Sequence, residues 1–404
     1  MNKLLLVIPE NSYKSNDFVL TAERLGIDFL VITDSDQVSG QFGDTVIIQN
    51  FTEKISDETI IKLNKITHVL PVDHSALKFA GYLVDLLDAK GNKLFAIEHS
   101  MNKFNSRNTF NSMSNIKAEN MVIKSLEDIA MFIEKHGTSV LKPNFGSASK
   151  SVLKIDNFNK NKDYIINLMN DCEDQEMVIE QHIDGKEYAL EGNLINSNLN
   201  KITIFDKPIE YKEPYFEESI YITPSELSEK LQNEIVELVD NACKKIGLEN
   251  GPVHVEFKIL DEDIFIIEIN PRMIGGLCSK CLSFGLFKVS LEEITLHAFL
   301  HDELKPVKLL SNYVGVLMLP TPRTGKFVSI NQDELENIDN VSAVDITVFE
   351  NSYLLEPPFG DKYLGFVFSQ ANEKALVLNA LKNAMKTSMP VSYTHLTLPT
   401  IYSV

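Results

Sequence analysis

Cysteine, long apolar runs, positive charge and the common nucleotide-binding loops are scarce or missing in this chain. Four cysteines in 404 residues, at positions 172, 243, 278 and 281, form no disulfide framework and suit a reducing compartment, so a cytoplasmic protein is expected. Cys278 and Cys281 have the spacing of a redox or metal pair, but no second pair completes a zinc site, and two small apolar residues is the plainer reading. No apolar run approaches the roughly 20 residues of a membrane span. The apolar part of MNKLLLVIPENS is short for a signal peptide and reads as a first buried strand. With 38 basic against 57 acidic residues the net charge is −19, which argues against nucleic acid as a general partner. After the first strand stands Pro9-Glu10-Asn11-Ser12, where a dinucleotide fold would carry G-x-G-x-x-G, and G-x-x-x-x-G-K-[ST] is also absent. An NAD oxidoreductase is thereby disfavoured. No biotin-carrier segment, a lysine flanked by methionines, is present either.

What is there has the length for two or three domains and an ordinary globular composition, 44% hydrophobic and 24% charged. Up to about residue 95, apolar runs at Leu4–Ile8, Phe29–Ile32, Val46–Ile48 and Val69–Val72 alternate with amphipathic stretches around Phe18–Leu25, Glu53–Lys65 and Ala76–Leu87. That alternation predicts a parallel sheet with helices on both faces. Asp73 and His74 follow the fourth run, where a ligand contact or a helix N-cap is expected.

The richest stretch is Gly251 to Gly276, GPVHVEFKILDEDIFIIEINPRMIGG. Period two puts His254, Glu256 and Lys258 on one face of a strand and Val253, Val255 and Phe257 on the other. After the acidic turn Asp261-Glu262-Asp263, Glu268 and Asn270 share a face, with Ile267 and Ile269 opposite. A hairpin would thus present two carboxylates and an amide oxygen together, a hard oxygen set suited to Mg²⁺ that shares its coordination with phosphates. A solvated face of an antiparallel pair is the competing reading. Pro271 ends the strand, Arg272 adds a guanidinium and Gly275-Gly276 leave open backbone.

These residues resemble the last motif of the ATP-grasp superfamily, roughly h-E-h…h-E-h-N-P-R-x-x-G-G. The resemblance implies that Glu256, Glu268 and Asn270 hold Mg²⁺, or Mn²⁺ in its place, against the phosphates of ATP. Arg272 would face a carboxylate and its acyl-phosphate. Other pieces follow in the superfamily's order. Lys103 in an x-x-K-x-x-x-[KR] helix matches its first ATP-contacting lysine, although alone it reads as a solvated helix face. Lys142-Pro143-Asn144-Phe145-Gly146-Ser147-Ala148-Ser149 is similar to its phosphate loop, with Ser151 where glycine is common. The loop would bring Gly146, Ser147 and Ser149 to the phosphates; a plain hairpin turn is the alternative. Glu180-Gln-His-Ile183-Asp-Gly-Lys-Glu187 is similar to its interlobe hinge, with Glu180 and Ile183 framing adenine and Glu187 the ribose. His182 reads as a surface or supporting residue.

The resemblance covers about residues 100 to 300 and implies an α/β and α+β multidomain fold. A Rossmann-like pre-ATP-grasp domain would span 1–95, a two-lobed ATP-grasp domain 96–302 and a small α+β domain 303–390. Residues 205–224 read as an irregular loop, a helix follows to Lys245 before Gly247, and the β-rich segment from Tyr313 is similar to that of the L-amino-acid ligases. Arg323 stands in its Pro-Thr-Pro-Arg turn and reads as a surface residue. Residues 391–404, VSYTHLTLPTIYSV, continue no pattern and look like a non-native tail. The implied activity is ATP-dependent carboxylate–amine ligation on small-molecule substrates, with homodimerisation as the family's habit and no nucleic acid or membrane partner. Another ligation of the same superfamily, and a non-catalytic nucleotide-binding regulator, remain as alternatives.

Overall fold

A computed structural model of the chain describes residues 2–10, 12–35, 46–146, 150–209, 219–308, 310, 312–357, 359, 360, 362–388 and the backbone of 392–394. The alternating N-terminal pattern forms β1 (Leu4–Ile8), α1 (Ser15–Arg24), β2 (Phe29–Thr33), β3 (Val46–Ile48), α2 (Asp57–Leu63), β4 (His68–Pro71) and α3 (Leu77–Leu87). The four strands are parallel in the order β3-β2-β1-β4. Leu4, Leu6 and Ile8 of β1 pack with Phe18 and Val19 of α1, while Leu5 and Val7 pack with Phe79 and Leu83 of α3. Both faces of the sheet are therefore covered, as a continuous apolar strand requires.

Next come α4 (Leu94–Met101) and α5 (Lys103–Asn111), whose N-cap Asn102 accepts the Asn105 N–H at 2.8 Å. Residue 95, near which a boundary is expected, lies in the first turn of α4. A small lobe follows: β5 (Asn120–Ile123), α6 (Leu126–His136), β6 (Ser139–Pro143), β7 (Leu153–Ile155), α7 (Lys162–Asp171) and β8 (Met177–Gln181). Its four antiparallel strands run in the order β5-β8-β6-β7, with Ile129, Phe132 and Leu168 of the helices packed on Leu141 and Ile179.

The large lobe is built on β9 (Lys186–Ile195), β10 (Asn198–Asp206), β11 (Ile220–Thr223), α8 (Glu229–Ile246), β12 (Gly251–Leu260), β13 (Asp263–Asn270) and α9 (Leu291–His301). Helix α8 begins at the Ser228 cap and ends where Gly247 takes a φ of +93°. A Cβ there would also lie 2.7 Å from the Phe95 ring, so glycine is required twice over. The C-terminal segment supplies β14 (Tyr313–Leu319), β15 (Gly325–Ser329), α10 (Gln332–Glu336), β16 (Val341–Ile346), β17 (Tyr353–Leu354), β18 (Gly365–Ala371), α11 (Lys374–Ser388) and β19 (Ser392–Thr394). Strands β14, β18 and β16 continue the large-lobe sheet through the β11–β14 pairing, giving eight strands in the order β13-β12-β9-β10-β11-β14-β18-β16.

Two local expectations change. The stretch 205–224 is not one loop, because residues through Asp206 finish β10 and Ile220–Thr223 form β11; residues 210–218 lie outside the described residues. In the β12–β13 hairpin, Glu256 pairs with Glu268 and Phe257 with Ile266, so Ile267 is an extra residue in a β-bulge. Ile266 and Ile269 face the core, whereas Ile267 turns to the opposite side, with Phe265 and Glu268.

Candidate active site

A cavity of about 600 Å³ opens where the N-terminal domain, both lobes and the C-terminal segment meet. Lys103, Lys142, Gly146, Glu180, Ile183 and Glu187 line it, and so do Glu256, Glu268 and Arg272. Residues more than 160 positions apart in the chain are thus brought to one space. Asn270 lies beneath it and donates its amide N–H to Glu268 at 2.6 Å. Ser147 and Ser149 lie outside the described residues.

Three of the lining carboxylates, Glu180, Glu187 and Glu256, already hold cations. The Glu180 carboxylate takes Lys142 Nζ on one oxygen and Arg107 Nε on the other, the latter at 3.1 Å. Burial alone would push the Glu180 carboxyl up, but Lys142 and Arg107 hold it down at about 2. Arg107 is 2% exposed and spends its two remaining groups on the bulge: Nη1 donates to the Ile266 carbonyl at 2.6 Å and Nη2 to that of Ile267 at 3.0 Å. Its guanidinium also lies over the Phe265 ring, 4.1 Å from the centroid. One fork therefore joins α5, the small lobe and the β12–β13 hairpin. Lys207 Nζ bridges Glu187 at 2.5 Å and Glu256 at 3.0 Å. Lys258 Nζ donates to the Ile183 carbonyl at 2.9 Å, and Lys103 Nζ to the Gly146 carbonyl at 2.7 Å.

The two glutamates of the hairpin stand directly opposite each other on adjacent strands. Burial would raise the Glu268 carboxyl, yet Lys103, the Asn270 amide and Arg272 hold it at about 2. Glu256 also lies 3.3 Å from His254 Nε2, and His254 Nδ1 lies 2.5 Å from Glu191, whose other oxygen accepts the Ile274 N–H. Burial opposes a charge on His254, but its two carboxylate neighbours outweigh it and raise the imidazole to about 9. This donor set fits Mg²⁺: two carboxylates stand side by side, and the Asn270 amide is held against one of them. Among the described residues no three His, Cys, Asp or Glu side chains close a metal cage of their own.

On the far side, Arg272 is 7% exposed; Nη1 donates to the Met273 carbonyl at 2.8 Å, and Nε is buried without a partner. Lys14, fully buried, donates to the carbonyls of Met273 and Ile274. Asp73 caps a short turn by accepting the His74 N–H at 2.7 Å, as an N-cap was expected to, and both residues also line the cavity. Burial, then Arg272 and Lys103, push His74 down to about 4.

Arg107, Lys207 and Lys14 were given no role from the sequence, although Arg107 stands at the [KR] of the Lys103 helix; His254 and Lys258 were placed on the face of Glu256 but without a role. Cys278 and Cys281 are buried thiols in the core, which supports the plainer reading. Arg323 is exposed, and no described helix is long and apolar enough to cross a membrane.

Residues 136–281 match the family profile described as ATP-grasp domain. Alanine–anticapsin ligase of Bacillus subtilis is 28% identical over 213 residues, which are 47% of this chain and 44% of that protein. Its Bacillus amyloliquefaciens counterpart is 24% identical over 253 residues, 55% of this chain and 53% of that protein. The chain thus spans about half the length of the curated relatives it matches. Among solved structures, the L-amino acid ligase from Bacillus licheniformis superposes with a TM-score of 0.80 at 21% identity, covering 98% of this chain and 99% of that one. A carboxyaminoimidazole ribonucleotide synthase from Aspergillus clavatus, complexed with ATP, gives 0.72 at 15% identity, covering 95% and 98%. Residues 136–281 thus match the ATP-grasp domain family, and the chain as a whole shares the fold of that L-amino acid ligase structure.

Proposed function

We propose that this chain is an ATP- and Mg²⁺-dependent ligase that joins a carboxylate to an amine, with amino acids on both sides of the new bond. The observation that carries the reading is a single cavity holding phosphate-side lysines, the Glu256/Glu268 pair and the buried Arg272. ATP would lie between the lobes, its adenine against the 181–183 connector and Phe265, its phosphates beside Lys103, Lys142 and Gly146. Glu256, Glu268 and Asn270 would hold Mg²⁺, which when bound supplies positive charge to the transferring phosphate oxygens. Arg272 would receive the substrate carboxylate in line with the γ-phosphate.

A carboxylate oxygen takes the γ-phosphoryl group and ADP leaves with the electrons of the broken bond. An amine then attacks the acyl carbon, the C–N bond forms, and inorganic phosphate departs as the amine loses a proton. Arg272 stabilises the negative charge in both steps. Closure of the lobes would keep water from the acyl-phosphate. The likeness to an L-amino acid ligase over nearly the whole chain supports amino-acid substrates.

The test is Mg²⁺-dependent ADP release across pairs of L-amino acids, with mass spectrometry of the products. Release that needs two amino acids and yields a dipeptide mass is expected. Absence of release with every pair, or release without an amide product, would overturn the reading.

A further inference from the structure

Among the described residues five carboxylates border the cavity, and they differ in what they hold. Glu180, Glu187 and Glu256 each touch a lysine ammonium. Glu268 rests on Asn270 at the strand pair suited to the metal. Asp73 belongs to another domain, at the C-terminal end of β4, where ligands of parallel sheets gather. Its hydrogen bonds come from the His74 N–H and the Ser12 side chain, and among the described residues no cationic side chain lies within salt-bridge reach of it. Burial pushes its carboxyl up, but Lys14, Arg272 and the two hydrogen bonds outweigh this and hold it below the usual carboxylate range. A charged carboxylate thus faces the cavity without a counter-ion. Arg272, close enough to act on it through space, faces the same cavity with Nε buried and unpartnered.

Opposite charges displayed together in one enclosed space, each lacking a direct ionic partner, are complementary to a zwitterion. We infer that Asp73 binds the α-ammonium of the amino acid whose carboxylate Arg272 receives. The inference rests on the ligase reading for the role of Arg272 and assigns to Asp73 the choice of an α-amino acid over a plain carboxylic acid. Lys14 fixes the arrangement from below: its ammonium ties the Met273 and Ile274 carbonyls, and Met273 O is also the acceptor of Arg272 Nη1. His74, whose Nδ1 is buried without a partner, offers a second acceptor to the ammonium when its lone pair is on that nitrogen. The amine that attacks belongs to the other amino acid.

The competing explanation makes Asp73 a helix cap only. Asp73→Asn and Asp73→Ser both keep a cap acceptor while removing the charge. Both are compared with the unaltered protein using matched acids with and without the α-amino group: L-alanine and propionate, L-leucine and 4-methylpentanoate, L-phenylalanine and 3-phenylpropanoate. ADP release is read with a fixed amine, and calorimetric binding with Mg²⁺ and a non-hydrolysable ATP analogue. The unaltered protein is expected to prefer the amino acid by about 100-fold or more, since a site built around a polar partner rejects the analogue lacking it. The two variants should fall to within a few fold, through a higher KM for the amino acid. Variants that melt like the unaltered protein and keep its preference would overturn the inference while leaving the ligase reading intact. Amino-acid binding without ligation would sink the ligase reading, and the binding preference would still decide the role of Asp73. No preference in the unaltered protein would remove the inference at once.

Discussion

The two halves of the cavity manage charge in opposite ways. On the side proposed for the nucleotide, Glu180, Glu187 and Glu256 are matched to Lys142, Arg107 and Lys207. On the acceptor side Asp73 and Arg272 face the space with atoms left over. Two histidines record the contrast. His254, between carboxylates, is raised to about 9, and His74, lowered first by burial and then by Arg272 and Lys103, falls to about 4. A site that is neutral without ligand can stay folded with many charges buried, but it must exchange partners when it binds. A site with charges waiting selects its ligand, and its stability is the more fragile for it.

The largest effect that would sharpen this comparison is at the hinge of the two halves. Glu268→Gln removes one of the paired carboxylates, and Mg²⁺-dependent ADP release should fall by about 10³-fold or more with the melting temperature kept. Release at the unaltered rate would break the metal assignment. On the prepaired side, Arg107→Ala leaves Glu180 with a single cation and two bulge carbonyls without donors. Denaturant unfolding should show a loss of about 3–5 kcal/mol.

The third prediction concerns pH. His254 has a folded pKa of about 9, above the unfolded value of roughly 6.5. Its contribution is therefore fully present below pH ~6.5 and lost as pH rises through about 9. In chelator-treated protein, urea unfolding should show stability falling by about 2–3 kcal/mol over that window, and His254→Gln should flatten the decline. An unchanged slope in the variant would mean that the Glu191–His254–Glu256 row does not carry the charge. The smallest effect is at Lys78, whose Nζ lies 4.7 Å from the centroid of the Phe145 ring. Lys78→Ala should cost under ~1 kcal/mol in the same assay.

The fold was readable wherever one chain segment decides its own geometry. Alternation of apolar runs in the first 95 residues found four parallel strands, and period two on β12 separated His254, Glu256 and Lys258 from the core residues between them. The motif residues of the site were readable for the same reason, since each motif is local. Their partners were not. Lys207 meets Glu187 and Glu256 only because β10 lies next to β9 and β9 next to β12, and Lys14 meets Ile274 across 260 positions. Pairings of that kind belong to the tertiary structure and have no signature in spacing. The face assigned to Ile267 failed because a bulge resets the count. The sequence held little sign of it, because Ile266-Ile267 closes the continuous apolar run Ile264–Ile267, in which an extra residue leaves no mark.

That doubled isoleucine makes the hairpin unusual in its tolerance of length change. Elsewhere in a paired strand, losing one residue reverses the facing of everything on one side of the deletion. Reducing Ile266-Ile267 to a single isoleucine instead yields Ile264, Phe265, Ile, Glu268, Ile269, Asn270 in unbroken alternation, with Phe265 and Glu268 still toward the cavity. What the shortened strand would lose is one wall of the adenine side and one of the two carbonyls that Arg107 grips. The extra residue is therefore dispensable to the sheet and matters to the nucleotide, so shortening the chain here should spare folding more than it spares ATP binding.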